Sequence, residues 1–181
     1  MKTSTQNLEE DHIHILKLTD VMVALTLSKI PDVEHVETII DIIRNFADGL
    51  HHAKEENIFF PALGLKGFSA QQGPVAVMLK EHVDGRNYVK GIAENLESYK
   101  KGDETAIAGI YQNMSGYAEL LRNHIGKENN ILFRMADKVF SDAEQQNLLI
   151  SFNNIENDRP SGSRAEDYID RINSLALLYF I

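Results

Sequence analysis

Residues 51–63 read HHAKEENIFFPAL, and residues 124–136 read HIGKENNILFRMA. Both carry His-x-x-Lys-Glu-x-Asn-Ile followed by Phe or Leu and then Phe, so His51 and Glu55 correspond to His124 and Glu128. Helical residues four apart lie one turn apart and about 40° around the axis, so each pair presents an imidazole and a carboxylate side by side. One such pair is ordinary on a solvated helix face. Two matched pairs on apolar stripes are not, because an ionised glutamate facing a core is costly unless it is paired or bound to a cation.

Working outward, four long segments carry apolar residues at a helical period and strand-like alternation is scarce, so the fold class is all-α. The first helix is predicted to start near Asn7, capped with the help of Glu10, and to stop before Pro31, with Leu8, His12, Ile15, Thr19, Met22 and Val23 inward. The second runs from about Asp32 to a stop at Pro61 and the Gly64/Gly67 pair. After Gly73-Pro74 a third carries Val75, Met78, Leu79, His82, Val89, Ile92 and Leu96 on one face and ends near Gly102. The fourth spans about Asp103 to Val139, with Ile107, Ile110, Met114, Tyr117, Leu121, His124, Glu128, Ile131 and Met135 inward. Ser141 and Glu144 form a capping box for a fifth helix, DRPSGS is a linker, and RAEDYIDRINSLALLYFI is a last amphipathic helix. The division is thus an up-down-up-down four-helix bundle over residues 1–139 and a helical extension over residues 140–181. The extension packs on the bundle or makes a homodimer contact.

The composition bounds the chemistry. At 181 residues the chain suits one domain with a single apolar core. A net charge of -9 opposes phosphate backbones and anionic leaflets, which argues against nucleic-acid and membrane partners. No cysteine is present, so disulfides, thiolate catalysis and thiolate-held clusters are excluded and a metal must use imidazole and oxygen ligands. The start, MKTSTQNLEEDH, has no leader pattern and no apolar run reaches membrane-spanning length, so the expected location is the cytoplasm.

Up-down connectivity brings the early parts of helices one and three to the same end as the late parts of helices two and four. His12, His51, Glu55, His82, His124 and Glu128 therefore converge. Four imidazoles and two carboxylates suit iron, manganese or zinc, are too nitrogen-rich for calcium or magnesium, and exceed one tetrahedral zinc site. Two ions sharing carboxylates is the economical arrangement, and His-x-x-x-Glu differs from the Glu-x-x-His of ferritin-like bundles. His52 and Glu56 sit about 100° off the ligand face, as an extra ligand or as neighbours of the ligands. Tyr117, two turns before His124, faces the same interior one layer away, where core packing is its default role. His14, His35, Lys54 and Lys127 read as solvent-facing.

These residues, EEDH12, H51HAKE55ENIFFP, KEH82VDGR and H124IGKE128NNILF, resemble the hemerythrin-like, or HHE cation-binding, family over about residues 7–139. The resemblance implies a non-haem di-iron centre with an oxo or hydroxo bridge, Glu55 and Glu128 as bridging carboxylates and the four histidines as terminal ligands. Oxygen-carrying members resemble this chain except that they place two histidines a turn apart on the third helix. Here Met78 and Arg86 flank His82. That departure favours a reactive centre handling a small ligand (O2, NO or peroxide) in iron or oxidative and nitrosative stress. The alternatives are an iron- or oxygen-sensing binding module without turnover, or a zinc-binding structural protein.

Overall fold

The computed structural model describes residues 2–158 and 164–181. Described residues are helical or in short turns, with no strand among them. Helix α1 (Ser4–Thr26) leads to a long second helix. That helix begins as α2 (Val33–Ile42), widens into π-helical turns over Ile43–His52 and again over Glu55–Phe59, and ends as α3 (Phe60–Leu65). Helix α4 (Pro74–Lys100) returns. The fourth long helix is α5 (Ala106–Lys127), a π-turn at Glu128–Leu132, and α6 (Phe133–Val139), followed by α7 (Asp142–Asn157) and α8 (Ala165–Leu178). Packing of α1 on α5, α5 on α4, α4 on α2 and α1 on the widened second helix closes an up-down-up-down bundle.

Two boundaries differ from the sequence expectation. The first helix starts earlier, because Thr3 and Gln6 satisfy the capping box themselves, while the Asn7 Oδ1 accepts from the Lys54 ammonium at 3.1 Å. Pro61 does not stop the second helix. It stands in the first turn after a wide turn, where the Phe60 N–H bonds to the Glu55 carbonyl, and a missing N–H there forfeits little. The stop comes at Lys66, with Gly67 at φ 92° and the Phe68 N–H on the Leu63 carbonyl at 3.1 Å.

The fourth helix departs from its predicted stripe: Ile131 and Met135 are 52% and 37% exposed, while Leu132, Phe133 and Ala136 are buried. The π-turn adds one residue to the turn, so the inward positions after Glu128 move on by one. The second helix does the same after Glu55, burying Phe59, Phe60 and Leu63.

Two apolar clusters result. One holds Ile15, Met22, Phe46, Leu50, Val89, Met114, Tyr117 and Leu121 and takes in Tyr168, Ile172 and Leu175 from α8. The other holds Leu8, Phe59, Phe60, Met78, Leu132 and Phe133 and takes in Leu148 and Phe152 from α7. His12, His51, Glu55, His82, His124 and Glu128, drawn from all four long helices, fall in the gap between the two. The predicted linker, apart from Asp158, lies outside the described residues. No helix among them is long and apolar enough to cross a membrane.

Candidate metal centre

The belt between the clusters has an approximate two-fold pattern. Asp11-His12 on α1 and Glu81-His82 on α4 are equivalent acid-histidine pairs, and each faces one copy of the repeated motif. His12 and His51 bring their Nε2 atoms to 3.0 Å, and His82 and His124 bring theirs to 3.2 Å. The Glu128 carboxylate lies 3.3 Å from Nε2 of both His12 and His124. Glu55 lies 3.6 Å from His51 and 3.4 Å from His82. Each carboxylate therefore spans the two halves.

The opposite nitrogen of each ring is anchored outside the belt. Nδ1 of His12 meets Asn129 Oδ1 at 2.7 Å, that of His51 meets Asp11 at 3.3 Å, that of His82 meets Glu56 at 2.7 Å, and that of His124 meets Glu81 at 3.0 Å. With Nδ1–H donated outward, Nε2 presents its lone pair inward, the tautomer that metal-binding histidines adopt. Facing lone pairs 3.0 Å apart repel unless a proton or a cation lies between them. Both oxygens of Glu55 and of Glu128 are buried without a hydrogen bond, which is costly for an ionised group unless a cation sits against it. Inward imidazoles and orphaned carboxylates are the donor set of a first-row transition metal. Two groups of four have donor atoms within 4.8 Å of one another and could each hold an ion: His12, His51, Glu55, Glu128, and His52, Glu55, His82, His124.

His52 is the member that helical-wheel geometry misplaces. A π-turn takes more residues per revolution than the α-helix, so neighbours are separated by less than the usual ~100° and His51 and His52 both turn inward. Gly49 permits this: a Cβ there would sit 2.8 Å from the Arg44 carbonyl oxygen. The His52 ring stacks on His82 at 3.7 Å between centroids, and its Nδ1 meets Asp48 at 3.1 Å. Burial and the neighbouring His82 push its pKa well below the usual imidazole range, keeping it neutral. Glu56 joins Arg86 (2.8 Å) to His82 from outside, and Tyr117 is buried beside His52 along a cavity wall.

Charge follows the same outer layer. Burial works against ionisation of Asp11, but hydrogen bonds and charge from His51 and Lys54 outweigh it and hold the carboxyl at about 2. Burial likewise opposes the Glu128 carboxylate, and His124 with His12 keeps it ionised. Lys54 corrects the sequence reading. It is fully buried, with its ammonium 2.9 Å from Asp11 and 2.6 Å from Glu156 on α7. Lys127, its counterpart, is 37% exposed and bonds to Glu81. Of the other two histidines, His14 is partly buried and His35 bonds to Tyr179 at 2.8 Å, both outside the belt. The sequence signal for the anchors was available: an acid directly before His12 and before His82, and a lysine directly before each glutamate.

Fold and belt together define a four-helix bundle whose buried histidines and glutamates form two groups that could hold cations. The chain belongs to the Hemerythrin HHE cation binding domain family, whose sequence profile matches residues 3–136. Among curated proteins it is 32% identical over 88 residues to iron-sulfur cluster repair protein YtfE of Escherichia coli O157:H7, covering 48% of this chain and 40% of that one. It is also 32% identical over 88 residues to the YtfE protein of Citrobacter koseri and 31% identical over 88 residues to that of Enterobacter sp. strain 638, with the same coverage. The matched stretch thus spans less than half the length of these relatives. No solved structure matches.

Proposed function

We propose that the chain is a di-iron protein that binds or reduces a small oxidant (O2, NO or peroxide) in iron or oxidative and nitrosative stress. His12, His51, Glu55, His82, His124 and Glu128 would hold the two ions, and Glu55 and Glu128 would bridge them. His52 supplies a further imidazole on one side. The carrying observation is that each buried, unbonded carboxylate reaches one imidazole from each half of the bundle. The name of the YtfE relatives, iron-sulfur cluster repair protein, supports an iron-handling role.

Bound iron would supply reversible one-electron chemistry at ligand positions the protein leaves to small molecules. The protein's share is geometric. Asp11, Glu56, Glu81 and Asn129 orient the rings and fix their tautomers. Phe133, stacked 5.6 Å from His12, and Phe60, 5.9 Å from His82, exclude water on the α7 side. We assign the chemistry to residues 1–139 and place the protein in the cytoplasm, with residues 140–181 as an extension whose end could serve a homodimer contact.

The test is elemental analysis of protein from iron-replete cells with absorption spectra in air and under nitrogen, followed by stopped-flow mixing with peroxide and NO. Two irons per chain with oxygen-dependent bands are expected. Stoichiometric zinc, or iron without response to any of these ligands, overturns the reading. A sensing role without turnover is favoured by one observation, the Glu156–Lys54–Asp11–His51 series that connects α7 to the belt. It requires hydrogen exchange in α7 to change between reduced and oxidised protein.

A further inference from the structure

A cavity of about 170 Å³ opens to solvent beside the belt, between the widened second helix, α4 and α5. Its walls are Ile43, Val89 and the buried His52 and Tyr117, and its rim carries Arg44, Arg86 and Lys90. The volume is comparable with an engineered cavity of about 150 Å³ that admits benzene, so a guest of a few heavy atoms fits.

The cations around it are not equally committed. Arg86 is shared between Asp48 at 2.7 Å and Glu56 at 2.8 Å. Asp48, the one carboxylate in the wall, is occupied by Arg86 and His52. Among the described residues Lys90 pairs with Glu94 alone, at 3.7 Å and exposed. Arg44 is exposed and makes no ion pair with the described carboxylates. A chain of net charge -9 thus sets an unpaired guanidinium and a loosely held ammonium at the mouth of a cavity that reaches His52. Such a local field gathers anions against the sign of the whole molecule.

The wall adds a donor. No described residue hydrogen-bonds the Tyr117 hydroxyl, and burial together with the Asp48 carboxylate raises its pKa, so the proton stays on. A guanidinium presents parallel N–H bonds that match two oxygens on one atom.

We propose that this cavity binds a small planar oxyanion, a monoanion with an O–X–O group of nitrite or formate size, between the Arg44 guanidinium and the Tyr117 hydroxyl. Within the belt, His52 is the imidazole that lines this cavity, and its ring stacks on His82 at 3.7 Å between centroids. The anion's access to a metal rests on the di-iron reading, whereas its binding in the cavity does not.

The test is an NMR titration of the full-length chain with sodium nitrite and sodium formate, at ionic strength held constant with chloride, on zinc-loaded and on chelated protein. Saturable shifts at Tyr117 and Arg86 are expected in both samples. The dissociation constant should rise about tenfold in the Arg44→Gln/Lys90→Gln double variant, which alters exposed side chains only. No saturable shift at Tyr117, an unchanged constant in the double variant, or shifts confined to His12, His51, His82 and His124 would each overturn the proposal. Failure to load zinc with the nitrite shifts retained would count against the metal centre and leave the anion site standing.

Discussion

The two copies of the repeated motif build the same half-site with different supports. Both place a π-turn after the glutamate, both aim a histidine and that glutamate inward, and both use the residue after the glutamate, Glu56 or Asn129, to hold a ring of the opposite half. They part at two positions. Where the second copy has Ile125, the first has His52, and where Lys127 is half-exposed, Lys54 is fully buried against Glu156 of α7. Both C-terminal helices pack mainly on α1 and the second helix, so the extension supports the first half. Shared geometry thus serves cation binding, and the differences mark where one half is reinforced and opened to a cavity.

The largest effect tests what the halves share. If the proposed two ions are held, Glu55→Gln and Glu128→Gln should each cut metal content to one ion per chain or none, since each carboxylate faces a histidine of either half. Chelation of the native protein should lower its Tm by about 10 °C, from roughly 4 kcal/mol of linkage at a thousandfold excess over Kd and about 2–4 °C per kcal/mol at this size. If only one of the two variants loses metal, the halves are not equivalent and a single-ion site replaces the bridged pair.

Lys54→Met against Lys127→Met tests the first difference. Removing one partner from a buried ion pair costs about 3 kcal/mol or more, whereas an exposed pair contributes less than about 1 kcal/mol. Urea titration should therefore separate the two variants clearly. Equal losses would mean that α7 does not brace the first half.

Most of the fold was legible because helix periodicity, Pro31, Gly73-Pro74, Gly102 and the Ser141/Glu144 box report local backbone chemistry, which a sequence states directly. The convergence of His12, His51, Glu55, His82, His124 and Glu128 was legible for a related reason, since carboxylates on apolar stripes need a counter-charge. The π-turns were not legible. No local pattern announces them, and one added residue per turn moved Ile131 and Met135 out and His52 in. Lys54 was unreadable for a tertiary reason, because its partner Glu156 lies 102 positions away on a helix whose docking no local pattern announces.

Exchanging the residues that differ sharpens this point. His52→Ile copies the second half into the first and should weaken metal binding about 10–100-fold at one of the two sites, leaving the other unchanged in a competition titration. Ile125→His should bring no gain, because the inward turn of His52 depends on the π-turns of Ile43–His52, which the second copy lacks before its histidine. A gain would show that the side chain, and not the widened backbone, decides the difference.

The smallest effect concerns the attachment of α7. Glu144 accepts from the Ser141 N–H at 2.9 Å and the Lys66 ammonium at 2.7 Å, and Lys66 with Ser141 holds its carboxyl at about 2 against an ordinary value of 4.5. A carboxyl depressed in the folded state contributes stability that is fully present above pH 4.5 and is lost as pH falls toward 2. Glu144→Gln should therefore lower stability slightly at neutral pH and flatten the acid limb between pH 4.5 and 2, measured on chelated protein so that metal release does not contribute. Because Glu144 caps the helix that delivers Glu156 to Lys54, the variant should also loosen the first half more than the second, seen as faster hydrogen exchange in α7 and around Lys54 than around Lys127. Equal exchange at the two lysines would detach α7 from the asymmetry and leave His52 alone to account for it.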